Sequence, residues 1–425
     1  MELFLLKLVA LFRPVASIKY AEALFDVLGI GLFAILFAAV LMKAALNKSL
    51  KLSLIDGVIF AFTVWCVAIS VTYYEGTKIG EVAKLLVPVL SYTLVKNVVP
   101  DQREYTRLLF WMIVGFSVPT IVSAVLVVTG SQAGIAGVMY WTGVTRWEGA
   151  YTNPHNFGHS MTLLMMTLVL YVALRGIPGR ETVGVPRMIE NTLIGLLGIV
   201  ALYCLYKSEV RTAILGLLIF AAIYLYCYNK KLLVVGAIGL TVLAVATLPL
   251  WFATLLPELD MRRRGIEVES MSLGSGRPGL WMHDILVIAE RPIDQQLAGA
   301  GIGNRAGFGV AEDQVYGHND WLEIVTQTGL IGFGLFAMLQ VLLLKAILRI
   351  PGKERYGFLA LFFSVNVMMF VSNSYVWRIQ VGHLYYMMLA YVELRQSLRP
   401  QVEQITMTND QDNSATLDKF ERGTG

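Results

Sequence analysis

Five short stretches of the 425-residue sequence carry side chains with chemistry to offer. Arg146-Trp-Glu-Gly149 runs into Tyr151-Thr-Asn-Pro-His-Asn156, and Lys207-Ser-Glu-Val-Arg211 forms a charged turn between two apolar segments. Gly274-Ser-Gly-Arg-Pro-Gly279 precedes Trp281, Gly299-Ala-Gly-Ile-Gly303 follows, and Gly317-His-Asn-Asp-Trp-Leu-Glu323 opens another apolar run. At Arg211 a planar guanidinium can hold two phosphate oxygens at once, with Glu209 placed to orient or neutralise it. The plainer reading of Arg211 is an anchor at a membrane edge. Around Arg277, glycines expose backbone N–H groups and Pro278 suits the first turn of a helix, a good place for an anion. The plainer reading there is a hinge leading into an amphipathic helix. His318 offers an imidazole that can take a proton from a hydroxyl near neutral pH, or simply cap a helix.

Other groups carry less. His155 and His159 have the i,i+4 spacing of a metal pair, but they lack the HExxH glutamate and an evident third ligand. Gly299, Gly301 and Gly303 have no preceding strand, so a dinucleotide loop fails its context. Arg262, Arg263 and Arg264 read as a solvated or headgroup-facing patch. Asp410-Gln-Asp412 lies in a polar tail unsuited to hold a metal. His283 and His383 read as structural, and Glu81 and Lys84 as an i,i+3 pair. No metal and no cofactor are expected.

The elements that position these residues must cross a membrane. The chain is 56% apolar and 15% charged, with mean hydropathy +0.63, against about 45–50% and about 25% in soluble domains. A soluble enzyme, a disulfide-stapled domain and a disordered chain are excluded. A net charge of +4 is too small to imply nucleic-acid binding. Cys66, Cys204 and Cys227 all fall in apolar runs and read as core. Spans are expected near 20–43, 53–74, 79–99, 105–129, 157–175, 189–206, 211–228, 231–254, 320–348, 356–377 and 379–396. Residues 2–18 offer a further short one, and the N-terminal stretch reads as retained in the mature protein. The expected fold is an all-α polytopic membrane protein of about 11–12 transmembrane helices, with one large outer segment containing short amphipathic helices. It divides into a bundle over 1–254, the outer segment 255–318, C-terminal helices over 319–398 and a cytoplasmic tail over 399–425.

Orientation follows from short-loop cations. Thirteen fall in one set of loops (Lys43, Lys48 and Lys51 to Arg349, Lys353 and Arg355) and five in the other (Lys78, Arg146, Lys207, Arg211, Arg378). The richer set belongs in the cytoplasm. Every motif above then faces outward, where ATP and NAD are absent. The helix over 278–290 is expected to bury Trp281, Ile285 and Ile288 as one stripe against the membrane domain. The spans carry few ionisable residues, which argues against an ion-coupled carrier.

Taken in order, Asn153-Pro-His-Asn156, Ser208-Glu-Val-Arg211, Gly276-Arg277 with Trp281, His318-Asn-Asp-Trp-Leu322 and Gly329-Leu-Ile-Gly332 resemble the O-antigen ligase/polymerase superfamily of bacterial envelopes. Val210 departs from the pattern, since relatives often have Ser there. The sequence most resembles the ligases that attach O-antigen to lipid A–core. The resemblance implies a metal-independent, inverting glycosyltransferase of the inner membrane with its site facing the periplasm. Its donor would be glycan on undecaprenyl pyrophosphate and its acceptor a lipid A–core sugar hydroxyl, among membrane lipids and without nucleotide or nucleic acid. His318 would be the general base; Arg211 and Arg277 would neutralise the leaving pyrophosphate. Arg146, Asn153, Asn156, Asn319 and Trp281 would bind substrate, and the 278–290 helix would cover the site. An O-antigen polymerase keeps this chemistry with a second lipid-linked glycan as acceptor. A lipid-linked glycan transporter is the rival of a different class, and it predicts polar groups deep within the spans.

Overall fold

The structure is a computed structural model. It describes residues 1–16, 18–19, 22–47, 50–73, 79–136, 146–175, 187–231, 234, 277–303, 307–308, 315–316, 318–373 and 378–397. The expected span 231–254, the Arg262–Arg264 run, Gly274–Gly276 and the tail therefore lie outside the described residues, apart from Lys231 and Val234.

The chain is an all-α polytopic membrane protein. In chain order the helices are α1 (Glu2–Val15), α2 (Glu22–Asn47), α3 (Leu54–Thr72), α4 (Ile79–Val98), α5 (Gln102–Val128), α6 (Pro154–Arg175) and α7 (Arg187–Ser208). They continue as α8 (Arg211–Tyr228), α9 (Arg277–Glu290), α10 (Ile293–Ala298), α11 (Asp320–Leu348), α12 (Glu354–Val371), α13 (Ile379–Leu389) and α14 (Tyr391–Ser397). Two antiparallel two-residue strand pairs join Ile135–Ala136 (β1) to Arg146–Trp147 (β2), and Gly307–Phe308 (β3) to Val315–Tyr316 (β4).

Among the described residues, eight helices are long and apolar enough to cross a membrane: α2 from Leu28, α3, α5, α6, α7, α8, α11 and α12. Two of the expected spans take other forms. α1 has 14 residues, about 21 Å at 1.5 Å per residue, too short for a hydrocarbon layer of about 30 Å. It is wedged instead between α5 and α2. α4 follows the expected span 79–99 at 20 residues and stands outside those eight because it carries Glu81, Lys84 and Lys96, of which Glu81 pairs with Lys84 at 2.8 Å as their spacing predicts. The stretch 379–396 is two consecutive helices, α13 and α14, divided at Ala390.

Most charged pairs among the described residues gather at the end of the bundle opposite the motifs, Lys19 with Glu148 and Lys84 with Glu81 excepted. Lys96 binds both Asp56 and Glu393, the latter at 2.7 Å, while Asp56 closes a capping box with Ser53. Lys7 reaches Glu104 at 2.7 Å, Arg175 meets Glu190 at 2.8 Å, and Arg395 meets Glu354 at 2.8 Å.

α11 is not one continuous helix. Gly329 interrupts it with φ 67°, ψ −176°, a region open essentially to glycine alone. The freed carbonyls are taken up from outside the helix. Thr326 O accepts from Ala300 N at 3.1 Å and from Arg291 Nη1 at 2.8 Å, and Thr328 O accepts from the Trp65 indole at 2.9 Å. The contact is made by the glycine run after α10: Gly299, with φ 89°, lies backbone to backbone against Gln327 and Gly329. Large apolar side chains of α11 become exposed from Leu330 onward, whereas Asp320, Glu323, Thr326 and Gln327 before it are buried in protein. The lipid-facing part is thus Gly329–Leu348, 20 residues, which suffices for about 30 Å of hydrocarbon.

Candidate active site

The loop entering α6 is pinned on both sides. Ala150 N donates to Ser123 Oγ at 2.9 Å, Lys19 N donates to Ala150 O at 2.8 Å, and the Lys19 ammonium binds Glu148. The Asn-Pro-His-Asn motif then becomes a helix start. Asn153 Oδ1 accepts from Asn156 N at 2.8 Å, Asn156 Nδ2 donates to Thr152 Oγ1 at 2.8 Å, and Pro154 fills the first helical position. Both asparagines are half-buried, and these polar ends shape the turn.

The turn between α7 and α8 rests directly on that helix start. A Cβ at Gly158 would come within 2.8 Å of Val210 and 2.9 Å of Ser208, so only glycine allows this approach. Val210, where the family often has Ser, is the buried N-cap of α8 and packs at Gly158. Arg211 begins α8 with its side chain exposed. Its neighbour Thr212 contacts His159 Nε2 at 3.4 Å. His159 Nδ1 lies 2.8 Å from the His155 carbonyl, which can only accept, so the ring proton sits on Nδ1 and Nε2 accepts from Thr212.

His318 completes a row of three imidazoles. The rings of His159 and His155 are 6.3 Å apart and those of His155 and His318 are 6.4 Å apart, all nearly parallel. Among the described residues no three His, Cys, Asp or Glu side chains are grouped as metal ligands would be. The row stretches from the start of α8 to the start of α11. Asn319 is the N-cap of α11, its Oδ1 accepting from Trp321 N at 3.0 Å and Leu322 N at 3.2 Å.

His318 and Glu209 are the non-glycine residues with left-handed backbone among those described, at φ 48° and 53°. Each stands two residues before the first residue of a helix, α11 and α8 respectively. Such conformations cost of order 1–3 kcal/mol and tend to collect at functional sites.

Arg277 is the first residue of α9, and Arg146 stands in β2; the side chains of both lie outside what is described. Trp281, one turn into α9, packs on Phe370 at the end of α12 with centroids 5.2 Å apart. The stripe expected on α9 is rotated. Leu280 and Asp284 are buried at 6%, whereas Ile285 is 48% exposed. The reason is that a helix bordering lipid has two apolar environments, so apolar spacing alone does not fix which face meets protein. Burial pushes the Asp284 carboxyl up to about 6, with Arg291 opposing.

Sequence reasoning passed over two members of this region. His155 was visible only as a partner for His159, although it sits inside the Asn-Pro-His-Asn motif. Arg378 was visible only as a lone cation between apolar runs. It is the N-cap of α13, is 8% exposed, and lies near the fully buried Asp320. Burial lowers its pKa to about 10, and the Asp320 carboxylate works against that shift.

A family model described as O-antigen ligase matches residues 196–337, about a third of the chain. The match spans Arg211, Arg277, Trp281, His318, Asn319 and Gly329, and leaves Arg146, Asn153, Asn156 and Arg378 outside it. It supports the O-antigen ligase/polymerase superfamily and, with it, a glycosyl transfer of that general type on lipid-linked glycan at a membrane. No curated protein matches the chain.

Proposed function

We propose that this protein is an O-antigen ligase: it transfers glycan from undecaprenyl pyrophosphate to a sugar hydroxyl of lipid A–core at the periplasmic face of the inner membrane, without a metal. The observation that carries the reading is the row from Thr212 through His159 and His155 to His318. It joins the helix start bearing Arg211 to the imidazole before α11, two family motifs far apart in sequence.

The chemistry needs two things from the protein. The acceptor oxygen attacks the anomeric carbon from the face opposite the leaving group, and the carbon–oxygen bond to pyrophosphate breaks with inversion. His318 takes the hydroxyl proton as general base, a role worth about 10²–10⁴-fold. Arg211 and Arg277 stabilise the charge that develops on the departing pyrophosphate, with Arg146 assisting. Asn153, Asn156 and Asn319 hold the turns that present these groups, and Trp281 lines the approach from α9.

The test is a reconstituted mixture of full-length protein, undecaprenyl-pyrophosphate glycan and lipid A–core, with EDTA and no nucleotide. Glycan appears on the core with wild type and falls at least about 100-fold with His318→Ala. Lengthened lipid-linked glycan in place of modified core would make the protein a polymerase. Lipid-linked glycan crossing vesicles with no transfer would make it a transporter. Undiminished transfer by the variant would remove His318 as the base.

A further inference from the structure

We infer that Arg378 is a binding group for the phosphate-bearing end of the lipid-linked donor, an assignment that rests on the function proposed above. Three observations place it there. Its side chain is 8% exposed, yet Nε and Nη1 have no hydrogen-bond partner among the described residues. It lies near Asp320, which is fully buried and stands two residues after His318. Its helix, α13, packs on α6, the helix that carries His155 and His159.

The level of Arg378 along α6 follows from one contact. Thr167 Oγ1 and Met388 Sδ meet at 3.5 Å. Both helices start at the motif end and run the same way. An equal number of residues back from each contact atom brings Arg378 level with Phe157, between the two histidines of α6.

A buried guanidinium stays charged, and each N–H left without an acceptor is costly. Asp320 offsets the charge but does not take up Nε or Nη1. Gln380 Nε2, two residues on, is also buried without a partner among the described residues. Donors that the protein leaves unmatched at one end of α13 are completed by an acceptor-rich ligand. Phosphate oxygens, in the fork geometry that arginine favours, fit that description. The donor is the substrate whose phosphate must lie at the reacting centre, whereas phosphates of the acceptor lie away from the attacking hydroxyl.

The experiment uses full-length protein in nanodiscs, with Arg378→Met and Arg378→Lys. Donor and acceptor are varied separately, and inorganic pyrophosphate is titrated calorimetrically and as an inhibitor. For folded Arg378→Met the donor KM rises about tenfold or more, the acceptor KM holds, and pyrophosphate binding weakens in parallel. Arg378→Lys recovers part of the loss. Wild-type donor KM and pyrophosphate affinity in a folded Met variant would overturn the assignment. A rise confined to the acceptor KM would overturn it too, by moving the contact to phosphates of the acceptor. If Arg378→Met does not fold, Arg378→Lys decides, because an unchanged donor KM there contradicts a forked contact. If wild type transfers nothing, the proposed function fails by itself. Calorimetry of wild type against variant still judges Arg378, and equal or undetectable pyrophosphate binding overturns it.

Discussion

At the scale of single residues, the site depends on side chains whose work is divided between structure and chemistry. Asn153, Asn156 and Asn319 spend the polar atoms described above on helix starts. Arg211 is different: it is the first residue of α8, and its side chain is exposed. Its value to the proposed reaction lies in the fork, since lysine keeps the charge but offers a single point of contact. Arg211→Lys should therefore lower kcat/KM for transfer about 10- to 100-fold, the range of a charge-assisted hydrogen bond, with folding unaffected. Steady-state kinetics at varied donor concentration would show this, and wild-type kinetics in the lysine variant would reduce Arg211 to a membrane anchor. His318 and Arg211 were legible because each sits beside recognisable neighbours. His155 was not, because its meaning depends on a ring brought from the far side of a long intervening segment. Arg378 was hidden for a similar reason, since burial is what separates it from an ordinary loop cation.

At the scale of elements, the break in α11 is the feature on which the positions of α10 and the loop after it depend. Two glycines meet there backbone to backbone, and a side chain at either one would fall on main-chain atoms of the other's segment. Gly329→Ala should destabilise the protein by about 2 kcal/mol or more, combining a glycine-only backbone angle with a steric overlap. Gly334→Ala is the control. It lies in the same helix with nothing within 4 Å of an added Cβ, so it should be neutral or slightly stabilising. Thermal unfolding midpoints in detergent would compare them, and equal midpoints would deny the contact its importance. Sequence showed the long helices plainly, because crossing lipid requires an apolar run that nothing else explains. It did not show this break. A glycine within an apolar run carries no sign of its partner, and Gly299 lies on another element. Nor did it fix the phase of α9, where Ile285 turns away from the protein that buries Asp284.

At the scale of the whole molecule, the two ends of the bundle differ in what their charges do. One end neutralises its cations in pairs such as Lys96 with Asp56 and Glu393, and Arg395 with Glu354. The other keeps two such pairs, Lys19 with Glu148 and Lys84 with Glu81, and gathers His155, His159, His318, Arg211 and Arg378 at helix starts. Short-loop cations are concentrated at the first end, and the positive-inside tendency would place that end in the cytoplasm. That orientation can be checked without any substrate. Asp294 is exposed on α10, beside the break in α11, and Lys353 is exposed in the turn beyond the other end of that helix. Cysteines at the two positions should therefore report opposite sides. Native Cys66 and Cys204 are buried, so Cys227→Ser provides a quiet background. In intact cells with a permeable outer envelope, a membrane-impermeant maleimide should modify Asp294→Cys, and Lys353→Cys only after lysis. The reverse pattern would put the imidazole row in the cytoplasm, where a polyprenyl-linked glycan already exported could not reach it. The proposed transfer would then fail on topology alone, whatever the chemistry of His318.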